Sequence, residues 1–434
     1  MTEFAQRRQR LMRRLGQESA AVFVSGVEAL RNGDVEHPFR QTSTFYYLTG
    51  FEEPDAVAVL RPGHEQPFVL FVRPHDPDIA IWVGDRAGVE GAIERFGADE
   101  AYPIEELETR LPGLLRQART LWFSLGSHPT VESVISRLVA ARRSAAQRGA
   151  PALEALRDPE PLVDDLRLIK SNAELRSLQQ AVDVTGAGLE AAMRATRPGL
   201  HEYEVQAVLE SEYRRSGSPR DGFPSIVASG ANACTLHYTT NRDRVEDGEL
   251  LLIDTGAEWE YYSADVTRTF PVNGRFTRAQ RDVYDIVLEA QRRAIETIAP
   301  GVAFYDVHQE AVRVLVQGLI DLRVLKGDID GLIEQEKYRP YYMHSTSHWL
   351  GLDVHDAGPY RQGDRSIELR RGMVLTVEPG LYLAPGQRGV PRRLQGIGIR
   401  IEDDIAVTGK GRRNLSERVP SKPDDLEALV GARS

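Results

Sequence analysis

Leu250-Leu251-Leu252-Ile253 is an apolar run of strand length that leads straight into Asp254. A run with no polar alternation predicts a strand buried on both faces, so the carboxylate at its end arrives inside the fold. Val374-Leu375-Thr376-Val377 repeats the pattern and ends on Glu378-Pro379-Gly380. Pro379 has no N–H to donate, so the strand must stop or leave the ladder there. An ionised carboxylate in a dry interior costs several kcal/mol unless a partner offsets it. One buried aspartate can simply cap a turn; several in one region call for a shared cation.

Two further segments add to the set. After Asp254, Thr255-Gly256-Ala257-Glu258 is expected to turn the chain into Trp259–Tyr262, and Asp265–Phe270 returns. In a strand, Asp265 and Thr267 share one face while Val266 and Arg268 share the other. A hairpin would bring two carboxylates and a hydroxyl together. Farther on, Ile399, Ile401 and Ile405 alternate with Arg400, Glu402 and Asp404; taken alone, that alternation equally describes a solvent-facing side.

Histidine supplies nitrogen ligands. His344, His348 and His355 fall within a dozen residues, out of 10 histidines in the chain, and His237 is a fourth candidate. Asp254, Asp265, Glu378 and Glu402 with one imidazole make a shell for two divalent ions, whose charges the four carboxylates and a bridging hydroxide match to within one unit. Such an oxygen-rich set favours Mn2+ and tolerates Fe, Co2+ or Zn2+; it differs from the thiolate-rich set of a structural zinc. Two ions about 3.5–4 Å apart lower the pKa of a shared water and polarise a carbonyl, which is the chemistry of amide or ester hydrolysis.

The remaining sequence frames this centre. A chain of 434 residues predicts two or three domains. With 54 Lys+Arg against 64 Asp+Glu and a net charge of −10, it is a poor partner for nucleic acid or an anionic membrane. Its apolar runs are far short of a bilayer span. Arg7, Arg8, Arg10, Arg13 and Arg14 are not followed by an apolar stretch, which argues against a secretory signal. Cys234 is the single cysteine, which excludes an intrachain disulfide and fits a reducing compartment. The expectation is a cytoplasmic protein.

Ala20–Val24, Ala56–Leu60, Phe68–Val72 and Thr120–Ser124 predict strands, Ile104–Arg110 a short helix that Pro112-Gly113 interrupts, and Thr130–Gln147 a longer helix. The architecture is thus α/β (α+β), beginning with a mixed α/β domain over residues 1–170. Asp158-Pro159-Glu160-Pro161 is expected to be a stiff linker ahead of a second domain, 171–434. That domain opens with the capping-box pair Ser171 and Glu174, starting a helix to about Thr196; Thr277 and Gln280 repeat the signal. Pro198–Val205 aligns without gaps to Pro300–Val307, each after a long helix. Pro-Gly between helices is common, but two related halves around one cleft also explain the echo.

Asp254, the Ser263–Thr269 stretch, His344–His348 with Gly351–His355, Thr376–Gly380 and Arg400–Asp403 resemble the pita-bread metallopeptidases, and among them the Xaa-Pro aminopeptidases (aminopeptidase P). Arg31–Asp34, Pro38–Gln41 and Phe45–Phe51 are similar to that family's N-terminal domain. The resemblance implies a pita-bread domain with internal pseudo-two-fold symmetry, cleaving the bond between an N-terminal residue and proline. It implies that Asp254 chelates one ion, that Asp265 and Glu402 bridge both, and that His348 and Glu378 complete the second site. Glu378 would also take up the water's proton. His237 and His355 would bind the substrate, with His355 stabilising the tetrahedral intermediate, and His344 would line the proline pocket. Thr267 would support a bridging carboxylate, and Arg400 with Tyr382 would steady the far side. Trp82 resembles a residue that reaches into a neighbouring subunit's cleft in a dimer or tetramer; an ordinary core tryptophan is the alternative. One departure is Phe223, where the family usually has tyrosine.

Other functions on this fold remain open at this point: an Xaa-Pro dipeptidase (prolidase), a methionine aminopeptidase, a metal-free enzyme of the creatinase kind, and a non-catalytic peptide-binding module. The last two predict gaps at the ligand positions, and this sequence has none.

Overall fold

The computed structural model describes residues 2–149 and 152–432, and the chain divides into two compact units between Leu166 and Arg167. The first unit is built on a six-stranded sheet in the order Glu100–Pro103, Phe68–Val72, Val57–Leu60, Ser19–Val24, Thr120–Trp122, Ala155–Arg157. The three central strands pair antiparallel, and the outer ones join parallel. Phe68–Val72 is buried at every residue, as an unbroken apolar run requires. Leu111, Leu115, Val131 and Ile135 pack against the sheet from two helices.

Two local expectations are corrected here. The helix Leu107–Leu114 runs through Pro112 rather than breaking at it. Leu107, Leu111 and Leu115 are all buried, and this packing carries the last turn across the missing N–H. Asp158–Pro161 is not a linker but a helix start. Asp158 Oδ1 accepts from Glu160 N at 3.1 Å, and the helix Glu160–Leu168 tolerates Pro161 in its first turn.

In the second unit, both capping boxes are formed, opening the helices Asn172–Ala195 and Arg278–Thr297. Each helix leads through a Pro-Gly turn, with Gly199 at φ +94 and Gly301 at φ +87, into a second helix, Glu202–Arg215 or Phe304–Asp321. Each pair is followed by a three-stranded sheet: Ile226–Ser229, Leu250–Thr255 and Val266–Pro271 in one half, Val374–Val377, Asp403–Val407 and Arg412–Asn414 in the other. The sequence echo therefore marks a repeated unit.

The chain reversal after Asp254 lies later than expected. Leu250–Thr255 continues past Gly256 into Ala257–Trp259, and the turn falls at Glu260 and Tyr261, both at positive φ. Gly256 is needed for a different reason: a Cβ there would sit 1.7 Å from the Ala264 carbonyl oxygen.

Register then brings the carboxylates together. Asp254 pairs with Thr267. Val377 pairs with Asp403 and Gly380 with Arg400, so Glu378-Pro379 and Ile401-Glu402 are facing breaks where the chain crosses from one sheet to another. Alongside runs the histidine segment, with Thr376 N donating to His348 O at 3.0 Å and Glu378 N to Thr346 O at 2.8 Å. Among the described residues, no helix is long and apolar enough to cross a membrane.

Candidate metal centre and cleft

Asp254, Asp265, His348, Glu378 and Glu402 line one cleft together with His237, His344, His355, Phe223 and Arg400. Ligand atoms of Asp265, His348 and Glu402 lie within 4.8 Å of one another. His348 Nε2 is 3.3 Å from Asp265 Oδ2 and 3.7 Å from Glu378 Oε1. The His348 Nδ1 lies 3.0 Å from the Trp349 carbonyl oxygen, which can only accept, so Nδ1 carries a proton and Nε2 is the nitrogen turned towards the carboxylates. The alternation at Ile399–Ile405 is not a solvent face: Arg400, Glu402 and Asp404 are all buried.

Two of the carboxylates, Asp254 and Glu402, are held from behind, and the backbone of Asp265 is held as well. Arg400 is the hub: it donates to Asp254 Oδ2 at 2.5 Å, to the Tyr382 hydroxyl at 3.0 Å and to Thr267 Oγ1 at 3.2 Å. Thr267 in turn donates to Glu402 Oε2 at 2.6 Å. Asp404 accepts the backbone N–H of Asp265 at 3.1 Å. The Tyr382 hydroxyl also lies 2.7 Å from His344 Nε2, while His344 Nδ1 faces the Ser345 carbonyl oxygen at 2.8 Å.

The electrostatics call for cations. Burial, and then the charges of Asp254, Asp404 and Glu378, push the Asp265 carboxyl well above its usual range. Burial with Asp265, Glu378 and Asp254 does the same to Glu402. Burial raises Glu378 to about 7 against the opposing pull of His348 and Arg400. Among the described residues, neither Asp254 Oδ1 nor Asp265 Oδ1 receives a hydrogen bond. Buried carboxylate oxygens with no donor, facing other carboxylates, are the donor set that hard divalent cations satisfy. The residues therefore fit a metal site. By contrast the histidines around it are kept neutral: burial and Arg400 lower His344 to about 3, and burial with His348 and His237 lowers His355.

Trp82 is not a core residue. It lies on the short helix Pro77–Val83 of the first unit, none of whose residues is buried, and is 87% exposed.

Sequence reasoning missed several supports. Asp356 is buried between Lys170 at 2.9 Å and Arg167 at 2.6 Å, and Arg167 also reaches Asp353 at 2.6 Å. This cluster pins the segment that carries His355, and Asp356 immediately follows that histidine. A Cβ at Gly351 would meet Asp356 Oδ2 at 2.1 Å, so the backbone lies directly on the ion cluster. Glu202, also missed, sits inside the echo at Pro198–Val205.

A two-fold-repeated domain with a buried cluster of carboxylates and one imidazole at its cleft defines a metal-dependent hydrolase of the pita-bread kind. The chain belongs to metallopeptidase family M24, whose family model matches residues 176–409, and the aminopeptidase P N-terminal domain matches residues 4–122. It is 43% identical to the Xaa-Pro aminopeptidase of Escherichia coli (strain K12), over 99% of this chain and 98% of that protein. The Haemophilus influenzae Xaa-Pro aminopeptidase is also 43% identical, over 99% and 97%. Among solved structures, Pseudomonas aeruginosa aminopeptidase PepP superposes with a TM-score of 0.96 at 43% identity, covering 99% of this chain and 97% of that one. A glutamate-to-alanine variant of Escherichia coli aminopeptidase P in complex with substrate superposes at 0.94, with 43% identity and the same coverages.

Proposed function

We propose that the chain is an Xaa-Pro aminopeptidase that removes the N-terminal residue of peptides with proline in second place, using two divalent metal ions. The observation that carries this reading is the buried, mutually repelling set Asp254, Asp265, Glu378 and Glu402 beside His348 Nε2. Asp254 would hold one ion, Asp265 and Glu402 both, and His348 with Glu378 the second. Bound there, the ions would supply the Lewis acidity that makes water a nucleophile at neutral pH and polarises the scissile carbonyl. The oxygen-rich donor set favours Mn2+, with Zn2+ or Co2+ as substitutes.

The chain's own groups do the rest. Glu378 takes the proton of the attacking water and returns it to the proline nitrogen as the C–N bond breaks. His355, kept neutral, donates an N–H to the carbonyl oxygen as negative charge develops there. His237, which lines the same cleft, would contact the same bond. The neutral His344, braced by Tyr382, forms the wall against the proline ring. Arg400 and Thr267 keep Asp254 and Glu402 in register.

The cleft, ≈ 1330 Å³, is also lined by Phe304, Tyr305, Arg339, Tyr360 and Ser366. A cleft of that size favours longer peptides over dipeptides. Comparing Xaa-Pro with Xaa-Pro-Yaa-Zaa as substrates tests this: the longer peptide should be cleaved at least as well, and strict dipeptide hydrolysis would make the enzyme a prolidase. The exposed Trp82 favours a homo-oligomer, dimer or tetramer, and the free Cys234 fits the cytoplasm.

A further inference from the structure

His237 lies at the cleft wall in a segment, residues 235–243, that has neither helix nor strand. Among the described residues its imidazole makes no hydrogen bond, so its position is set by the backbone beneath it. Under that backbone is Glu202, the first residue of the helix Glu202–Arg215, with no exposed surface. Its Oε1 accepts from Ser229 N and Ser229 Oγ, each at 2.8 Å, and from Asn232 Nδ2 at 3.0 Å. Its Oε2 accepts from the Tyr238 hydroxyl at 2.8 Å and from Asp243 N at 2.9 Å. The Glu202 N–H returns a bond to the Asp243 carbonyl at 3.0 Å.

These five donors are all uncharged, and they come from before, beside and after His237 in the chain. A carboxylate offers about four lone-pair sites, so this one is saturated, which is how a buried charge becomes tolerable without a cation. The position aligned with Glu202 in the second half of the repeat is Phe304. It packs on Trp349 and Tyr360 at centroid distances of 4.6 and 5.0 Å, next to the His348 and His355 segment. The same place in both halves therefore anchors a histidine-bearing segment, by hydrogen bonds in one and by aromatic packing in the other.

We propose that Glu202 is a positioning residue for His237: its buried carboxylate holds the 235–243 segment so that the imidazole faces the scissile bond. This rests on the reading of His237 as a substrate contact. Glu202→Gln keeps the volume but turns one acceptor into a donor facing donors, and Tyr238→Phe removes the hydroxyl that bonds Glu202 beside His237 and meets the Arg242 backbone.

The test measures kcat/KM on a proline-containing tripeptide for both variants, with and without His237→Ala. It also records the imidazole NMR signals of the zinc-loaded protein. Glu202→Gln should lose roughly 10–100-fold in kcat/KM, with bound metal unchanged. Tyr238→Phe, which leaves the core filled, should lose activity in the same sense. In the His237→Ala background both losses should disappear, because the two residues act through one contact. The His237 signal should shift in both variants while those of His344 and His355 stay. Equal losses with and without His237, or an unmoved His237 signal, would overturn the proposal. Should His237→Ala alone retain full activity, the substrate role of His237 falls, and the NMR signal still decides the role of Glu202.

Discussion

Arg400 and Asp254 form a buried ion pair, with Nη2 2.5 Å from Oδ2, and the other Asp254 oxygen receives no hydrogen bond from any described residue. One oxygen is fixed by the guanidinium and the other is left for a cation. The same guanidinium reaches Tyr382 and Thr267, so three groups of the site are set by one planar fork.

Arg400→Lys should therefore not be conservative. An ammonium cannot span the three acceptors as the fork does. A loss of roughly 10–100-fold in kcat/KM is expected, with lower metal affinity. Steady-state kinetics and metal titration check this, and wild-type behaviour in both would refute it.

Thr267→Val removes the hydroxyl that donates to Glu402 and accepts from Arg400 at nearly constant volume. Metal affinity should fall by roughly 10–100-fold while the fold persists. Titration of stripped protein with Mn2+ measures it; an unchanged dissociation constant would show that the hydroxyl does not hold Glu402.

Metal-free protein should respond to pH in a defined sense. Glu378 titrates at about 7 in the fold against an ordinary value of 4.5, and Asp265 and Glu402 are raised too. The folded state then keeps protons that the unfolded chain releases, so stability falls as pH rises. Thermal unfolding of stripped protein should show Tm dropping between pH about 4.5 and about 7, with Mn2+ restoring it most at the upper end. A rising Tm over that window would contradict the burial of these groups.

Much of this centre is legible in the sequence because its signal is local. An apolar run can be seen to end on Asp254 or Glu378, and the capping pairs Ser171/Glu174 and Thr277/Gln280 need only a three-residue spacing. What is not legible is long-range. Arg167 and Lys170 meet Asp356 across 189 and 186 residues, and nothing in their neighbourhoods announces it. Pro112 and Pro161 misled for the opposite reason: a strong local signal was overridden by buried leucines in one case and by a helix's first turn in the other.

Asp356→Asn tests that hidden cluster. Burial alone would raise the Asp356 pKa, but Lys170 and Arg167 hold it below its ordinary value of 3.8. Its stabilising contribution is thus present above that value and lost as pH falls through the depressed one. Removing the charge takes the counter-ion from the buried Lys170, while Arg167 keeps Asp353, and should cost about 3–5 kcal/mol, read as a lower urea midpoint at neutral pH. An unchanged midpoint would show the cluster to be neutral in energy.

Two divalent ions held by Asp254, Asp265, His348, Glu378 and Glu402 should be required for peptide hydrolysis. Elemental analysis of purified protein, combined with chelator stripping and Mn2+ addition while following cleavage of a proline-containing tripeptide, tests it most directly. Two ions per chain are expected, with activity abolished on stripping and returned by Mn2+, and neither bound metal nor activity recovered in Asp265→Ala or Glu402→Ala. Full cleavage by the stripped protein, or by either variant, would contradict it.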